Sequence, residues 1–129
     1  MRILDTDHWV AVLRGALDLA ARVAPDEPLA ITAVSVAELA HGAHRSARRD
    51  RNLASLDVLL ASLVVLSFDE AAGRRFGELK ALLEASGTAI GDLDLQIASI
   101  ALAHDLPLAT HNTAHFERIP GLVLADWLG

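Results

Sequence analysis

Two acids, Asp92 and Asp94, stand at the mouth of a stretch that is otherwise almost wholly apolar, Ile90-Gly91-Asp92-Leu93-Asp94-Leu95-Gln96-Ile97-Ala98. On a helix, Asp94 shares a stripe with Ile97, Ala98 and Ala101, at the i+3, i+4 and i+7 positions. Asp92 reads as a cap that opposes the helix dipole, an effect of about 0.3–1 kcal/mol. Glu38 is likewise an acid among small apolar residues, Val34, Ala37, Leu39 and Ala40. Asp5 ends the apolar run Ile3-Leu4, and Asp7 follows two residues later, where a helix cap is the expectation. Acids gathered at one place repel one another unless a cation neutralises them. Oxygen donors without cysteine, and without an obvious histidine set, favour a hard ion, Mg²⁺ or Mn²⁺. The reaction that follows is phosphodiester hydrolysis, with a cation polarising the phosphate and a carboxylate positioning the attacking water.

These acids meet only if the chain between them folds in one particular way. Residues 2–5 read as a first strand, followed by helix over 8–14 and, after the break at Gly15, over 16–24. A second strand covers 29–32 and a helix begins near Ser35 and runs through Ala43. Another helix spans 46–62, with Leu53, Leu56, Leu59, Leu60 and Leu63 at three- and four-residue steps. Strand 63–67, helix 69–86, helix 92–105, strand 107–110 and a fifth strand at 122–124 complete the chain. Strands alternating with helices of ten or more residues predict an α/β fold in one domain, residues 1–129. Its parallel sheet has four to five strands, with helices on both faces. The strands are continuously apolar, as expected when both faces are covered. In such sheets ligands bind beyond the carboxyl ends of the strands. Asp5, Glu38 and Asn112 follow strands there, and the first turn of the Asp94 helix faces the same edge.

Composition narrows the function classes. Hydrophobic residues make up 53% and charged residues 22% of the 129 positions, so the chain is globular and not disordered. No apolar run approaches the roughly 18 residues of a membrane span. The N-terminus does not read as a signal peptide, because Asp5 and Asp7 follow Ile3-Leu4 at once. The lack of cysteine excludes disulfides and thiolate sites and makes the cytoplasm the expected location. A formal net charge of −6 argues against binding nucleic acid by bulk charge, although Arg45, Arg48, Arg49 and Arg51 form a local basic cluster. Glu38-x-x-His41 matches half of a di-iron motif, but no second copy exists. His111 and His115 flank Asn112 and are candidates to touch substrate.

Four blocks together resemble the PIN-domain ribonucleases, specifically VapC-type toxins of toxin–antitoxin pairs. They are Leu4-Asp5-Thr6-Asp7, the run from Ser35 to Ala43 around Glu38, Ile90-Gly91-x-x-Asp94-x-x-Ile97-Ala98, and the run from Ala109 to Leu122. A closing Asp126-Trp127 also fits. The resemblance implies a Mg²⁺-dependent endoribonuclease, with Mn²⁺ as a substitute, and assigns Asp5 and Asp94 as principal ligands. Glu38 would complete the acidic cluster directly or through water, and Asn112 would join these three in the catalytic set. Where the family often has a fourth acid after strand 4, this chain has Asn112, which can bond a water but adds no charge. That predicts weak cation affinity without RNA and no tightly held second ion. Thr6 resembles a hydroxyl residue lining such sites, with Asp7 and Asp92 as secondary positions. The family further implies a homodimer and a cognate VapB-type antitoxin. The helices over 46–62 and 69–86 are candidate surfaces for both. The substrate would be RNA, transfer RNA among the options, with Arg45, Arg48, Arg49 and His111 as candidate contacts.

Two other readings start from the same residues. Asp5-x-Asp7 after a first strand resembles haloacid-dehalogenase-like phosphatases. Asp69 near the end of strand 3 resembles the phosphoacceptor of receiver-like signalling domains. Both need a lysine at the site, and the single lysine, Lys80, lies mid-helix.

Overall fold

The computed structural model describes every residue from Met1 to Gly129. Five strands form one sheet in the order β3-β2-β1-β4-β5: β1 (Arg2–Leu4), β2 (Leu29–Thr32), β3 (Val64–Leu66), β4 (Leu108–Ala109) and β5 (Leu124–Ala125). Every pairing is parallel, with Ile3 opposite Leu108 and Ala30 opposite Val64. Six helices connect the strands: α1 (Thr6–Leu13), α2 (Ala33–Arg45), α3 (Arg49–Ala61), α4 (Glu70–Ala85), α5 (Asp92–Ala103) and α6 (Thr113–Phe116). None is long and apolar enough to cross a membrane.

Successive strand residues point to opposite faces, and here they feed two separate cores. Ile3, Ala30 and Leu108 join Leu79, Leu83, Leu95, Ile97 and Phe116 on the face covered by α4 and α5. Leu4, Ile31 and Ala109 join Trp9, Leu17 and Trp127 on the face covered by α1. This is why the strands carry no polar alternation. The exception is β3, an edge strand, where Val64 and Val65 are 39% and 49% exposed.

Several boundaries differ from expectation, each for a local reason. Asp5, not Asp7, is the N-cap of α1: its carboxylate accepts from the Thr6 N–H, so the helix starts two residues early. No helix resumes over 16–24. Gly15, at φ 73°, takes the left-handed position, and the Ala16 N–H bonds back to the Ala11 carbonyl, a Schellman closure that turns the chain away. Only a 3₁₀ turn at Leu19–Ala21 remains. Thr32 caps α2 through the Ser35 N–H, which moves that start forward. Asp92 is not the cap of α5. Gly91 holds that position without a side-chain bond, and the Asp92 carboxylate instead takes the Lys80 ammonium of α4 at 3.0 Å. Helix α5 shows no single apolar stripe, because Leu95 and every residue from Ile97 to Ala101 are buried. It is a central helix, packed most heavily against α4. The leucines of α3 and α4 turn largely inward, with Leu82 and Val58 the large apolar residues left exposed on those helices.

Candidate active site

Asp5 leaves the end of β1, the middle strand, and its backbone N–H is held by the Ala109 carbonyl of the neighbouring strand at 2.8 Å. The residue is 6% exposed. One carboxylate oxygen accepts from the Thr6 N–H at 2.8 Å and the other from the Thr110 hydroxyl at 2.8 Å. Burial pushes its pKa up to about 6, against the Thr110 bond, and the charges of Asp7 and then Asp94 push the same way. Asp5 thus sits where a negative charge is costly and where other negative charges face it.

Glu38 lies one turn into α2 and is reached by a line of hydroxyls. Thr6 Oγ1 donates to Glu38 Oε1 at 2.8 Å. That leaves the Ser35 hydroxyl, 2.7 Å from Thr6 Oγ1, to donate to Thr6, and Thr32 donates in turn toward Ser35 at 3.4 Å. Aligned hydroxyls polarise one another toward the acceptor at the end of the line. Asp94, in the first turn of α5, is half-buried and accepts from the Asn112 amide at 3.3 Å. The same amide nitrogen lies 2.7 Å from His115 Nδ1, and that ring nitrogen is 3.6 Å from the Asp94 carboxylate.

Asp7 has a different task. His8 is fully buried, and its Nε2 accepts the Trp127 N–H at 3.0 Å. Its proton therefore sits on Nδ1, which faces Asp7 Oδ1 at 2.7 Å. The other Asp7 oxygen accepts the His111 N–H at 2.9 Å. Burial alone would raise the Asp7 pKa, but the His8 and His111 bonds outweigh it and hold the carboxylate below its usual value. Both oxygens are committed, so Asp7 fixes the loop after β4 to the start of α1.

The structure brings Asp5, Thr6, Glu38, Asp94 and Asn112 to the carboxyl edge of the sheet. As the side chains lie, no three of the acids and histidines close on a single point. Asp5, Glu38 and Asp94 are each taken up by a neighbouring hydroxyl or amide. The donor set nonetheless fits a divalent cation by type. It offers carboxylate oxygens, one of them buried among like charges, and charge neutralisation there would reverse the strain on Asp5. Asp92, Lys80 and His41 stand apart from this group: the first two satisfy each other and His41 is exposed. With its ammonium committed to Asp92, Lys80 serves neither the phosphatase nor the receiver reading. Arg45, Arg48 and Arg49 are exposed at the α2–α3 junction. His111 is held by Asp126 at 2.9 Å.

Thr110, His8 and Ser35 were not singled out as site residues from the sequence. The available signal was a hydroxyl at the end of an apolar strand (Thr110), a polar residue inside an apolar helix run (Ser35), and a histidine beside an acid (His8).

A groove of about 380 Å³ runs from Thr6 and Glu38 past Gly42 and Ala43 to Ser46 and Asn52. Ser46 also borders the hollow that contains Arg48, Arg49 and Arg51. Glu38 and the arginine junction therefore border one continuous surface.

Residues 2–122 match the PIN domain family. The chain is 37% identical over 105 residues to ribonuclease VapC2 of Rickettsia felis, an alignment covering 81% of this chain and 78% of that one. It is 36% identical over 99 residues to the tRNA(fMet)-specific endonuclease VapC of Salmonella typhimurium, covering 77% and 75%. Its fold superposes with a TM-score of 0.90 on a chain of the crystal structure of VapBC2 from Rickettsia felis bound to a DNA fragment from their promoter. That match has 33% identity and covers 98% of both chains.

Proposed function

The chain belongs to the PIN domain family, in its VapC ribonuclease group, and from that premise we propose how its own residues perform the reaction. It is a toxin ribonuclease neutralised by a cognate VapB-type antitoxin. Asp5, Glu38 and Asp94 would hold one divalent cation, Mg²⁺ or Mn²⁺. A bound divalent ion supplies positive charge to the phosphate and makes a nearby water more acidic. Thr6 holds one Glu38 oxygen and leaves the other free to orient the attacking water. Thr110 and the Thr6 N–H aim Asp5. Asn112 offers amide hydrogens beside Asp94 without adding charge. Hydrolysis adds one water across the scissile P–O bond, with the departing oxygen leaving as a hydroxyl.

The observation that carries this reading is the Asp5 carboxyl, buried at the strand edge, raised to about 6 and faced by Asp7 and Asp94. RNA is the substrate class, with transfer RNA the first to test. Its strand would follow the groove from Glu38 toward Arg45, Arg48 and Arg49, with His111, beside Asp7, as a further contact. Two copies of the chain pair as a homodimer.

The test is cleavage of structured RNA by the purified chain with Mg²⁺, with Mn²⁺ and in chelator, alongside Asp94→Asn. Cleavage should require the cation and disappear in the variant, while its thermal melt stays level or rises because one repulsive charge is gone. Undiminished activity in chelator or in Asp94→Asn overturns the mechanism. A clear loss of stability would mean that Asp94 serves the fold.

A further inference from the structure

His115 faces Asp94 from the first turn of α6, and the bond between its ring and Asn112 fixes which way its lone pair points. The Asn112 amide nitrogen lies 2.7 Å from His115 Nδ1 and 3.3 Å from Asp94 Oδ2. If the amide were turned over, its oxygen would press against the Asp94 carboxylate, so the nitrogen belongs there and its two hydrogens serve the two acceptors. Nδ1 is then unprotonated, and its lone pair accepts from the same amide nitrogen that serves Asp94 Oδ2.

Those two acceptor atoms are 3.6 Å apart. Two ligands bound at about 2.0–2.2 Å on adjacent positions of one ion stand about 3–3.5 Å apart. The Asp94–His115 separation is close to that spacing, and the electropositive amide hydrogens of Asn112 now lie between the two. Carboxylates and waters alone suit Mg²⁺, whereas an imidazole nitrogen draws the site toward first-row transition ions.

We propose that His115 is a nitrogen ligand of the active-site cation, paired with Asp94, so that the site prefers Mn²⁺ and its transition-metal relatives to Mg²⁺. The proposal rests on the cation reading of Asp5, Glu38 and Asp94 and adds the identity of the ion. His115 is 47% exposed in its side chain, so replacing it leaves the core untouched. Asn112 swings aside from Nδ1 when the ion binds and keeps its role beside Asp94.

The test is direct binding, not turnover. The purified chain, His115→Gln and Asp94→Asn are each titrated with Mn²⁺ and with Mg²⁺ by calorimetry. The Mn²⁺ forms are then examined by pulsed electron paramagnetic resonance for coupling to a ligand ¹⁴N. The unsubstituted chain should bind Mn²⁺ at least about tenfold more tightly than Mg²⁺ and show nitrogen coupling. His115→Gln should lose the coupling and most of the Mn²⁺ preference while its Mg²⁺ affinity stays within about threefold. Nitrogen coupling that is absent from the unsubstituted chain, or that survives in His115→Gln, overturns the proposal and leaves the carboxylate site standing. Binding of neither ion even at millimolar concentrations, or binding unchanged in Asp94→Asn, overturns the carboxylate site itself.

Discussion

Trp127 and His8, 119 residues apart, are joined by one hydrogen bond, from the Trp127 backbone N–H to the buried His8 Nε2. Through Nδ1 the same ring bonds Asp7, and through Asp7 it reaches the loop that carries Thr110 and Asn112. Replacing His8 with Phe keeps the ring volume, strands the buried Trp127 N–H and takes the partner from the partly exposed Asp7. Each unsatisfied buried group costs about 1–3 kcal/mol. His8→Phe should therefore lower the denaturation midpoint clearly, and an unchanged midpoint would show that the bridge carries no weight. His8→Asn, which can restore one bond but not both, should fall between.

Asp5 makes the cation-free protein less stable as pH rises. Its folded pKa of about 6 lies above its ordinary value of 3.8, so the folded state holds the proton more tightly than the unfolded chain does. The stability this contributes is complete below about pH 4 and is lost as pH rises through 6, to the extent of about 3 kcal/mol. Asp7, whose folded pKa is lowered, has the opposite sign and acts at lower pH, losing stability as pH falls. Comparing urea midpoints of the unsubstituted chain and Asp5→Asn in chelator isolates the first effect. The two should agree near pH 4 and diverge by pH 7, with Asp5→Asn the more stable. Saturating Mn²⁺ should close the gap.

Thr6 aims Glu38, and its hydroxyl is the last in the line from Thr32 and Ser35. Thr6→Val keeps the shape and removes the donor. Supporting bonds of this kind are worth about 10–100-fold in metal affinity or activity. Cleavage should fall by that order in Thr6→Val and largely return in Thr6→Ser. Equal activity in all three would remove Thr6 from the site.

Asp92 and Asp94 are two residues apart and should respond oppositely to the same change. The Lys80–Asp92 pair is exposed on both sides, and such pairs contribute about 0–1 kcal/mol. Asp92→Asn should cleave RNA normally and melt nearly as before. Loss of cleavage in Asp92→Asn, with Asp94→Asn active, would mean that the two assignments are reversed.

Arg48 and Arg49 border the hollow that Ser46 shares with the groove from Glu38. If they meet the RNA backbone, Arg48→Ala and Arg49→Ala should each raise KM and leave kcat in place. Each should also lower the slope of log affinity against log salt by about 1. Salt slopes that do not move would place the RNA elsewhere.

The sheet was legible because its strands are short apolar runs ended by acids or hydroxyls, and β2 begins and ends where its residues say. The register of acids against strand ends was legible for the same reason. What could not be read was which atom bonds which. Asp5 and Asp7 are both good caps, and only the fold shows that Asp5 takes the Thr6 N–H while Asp7 is drawn to His8. Asp92 reads as a cap until Lys80, 12 residues earlier, is seen to reach it. The missing helix after Gly15 is a tertiary override: Leu17 is buried in the core beside Trp9, and a continued helix would carry it away. His115 looks like any exposed histidine in sequence. Its meaning comes from 3.6 Å to an acid 21 positions away.

The middle strand of the sheet is made first and completed late. β1 takes β4 as its neighbour, and Asp5 takes its hydroxyl from Thr110, 105 residues on. A ribosome synthesising this chain therefore carries Asp5 and Glu38 in the open long before Thr110, Asn112 and Trp127 exist to fix them. Such distant pairings form slowly and only once both ends are present. The edge that gathers Asp5, Glu38 and Asp94 therefore closes only once β4 and the residues after it have been made, and a shorter nascent chain lacks it. Chains ended at Leu106 should show no RNA cleavage at any cation concentration.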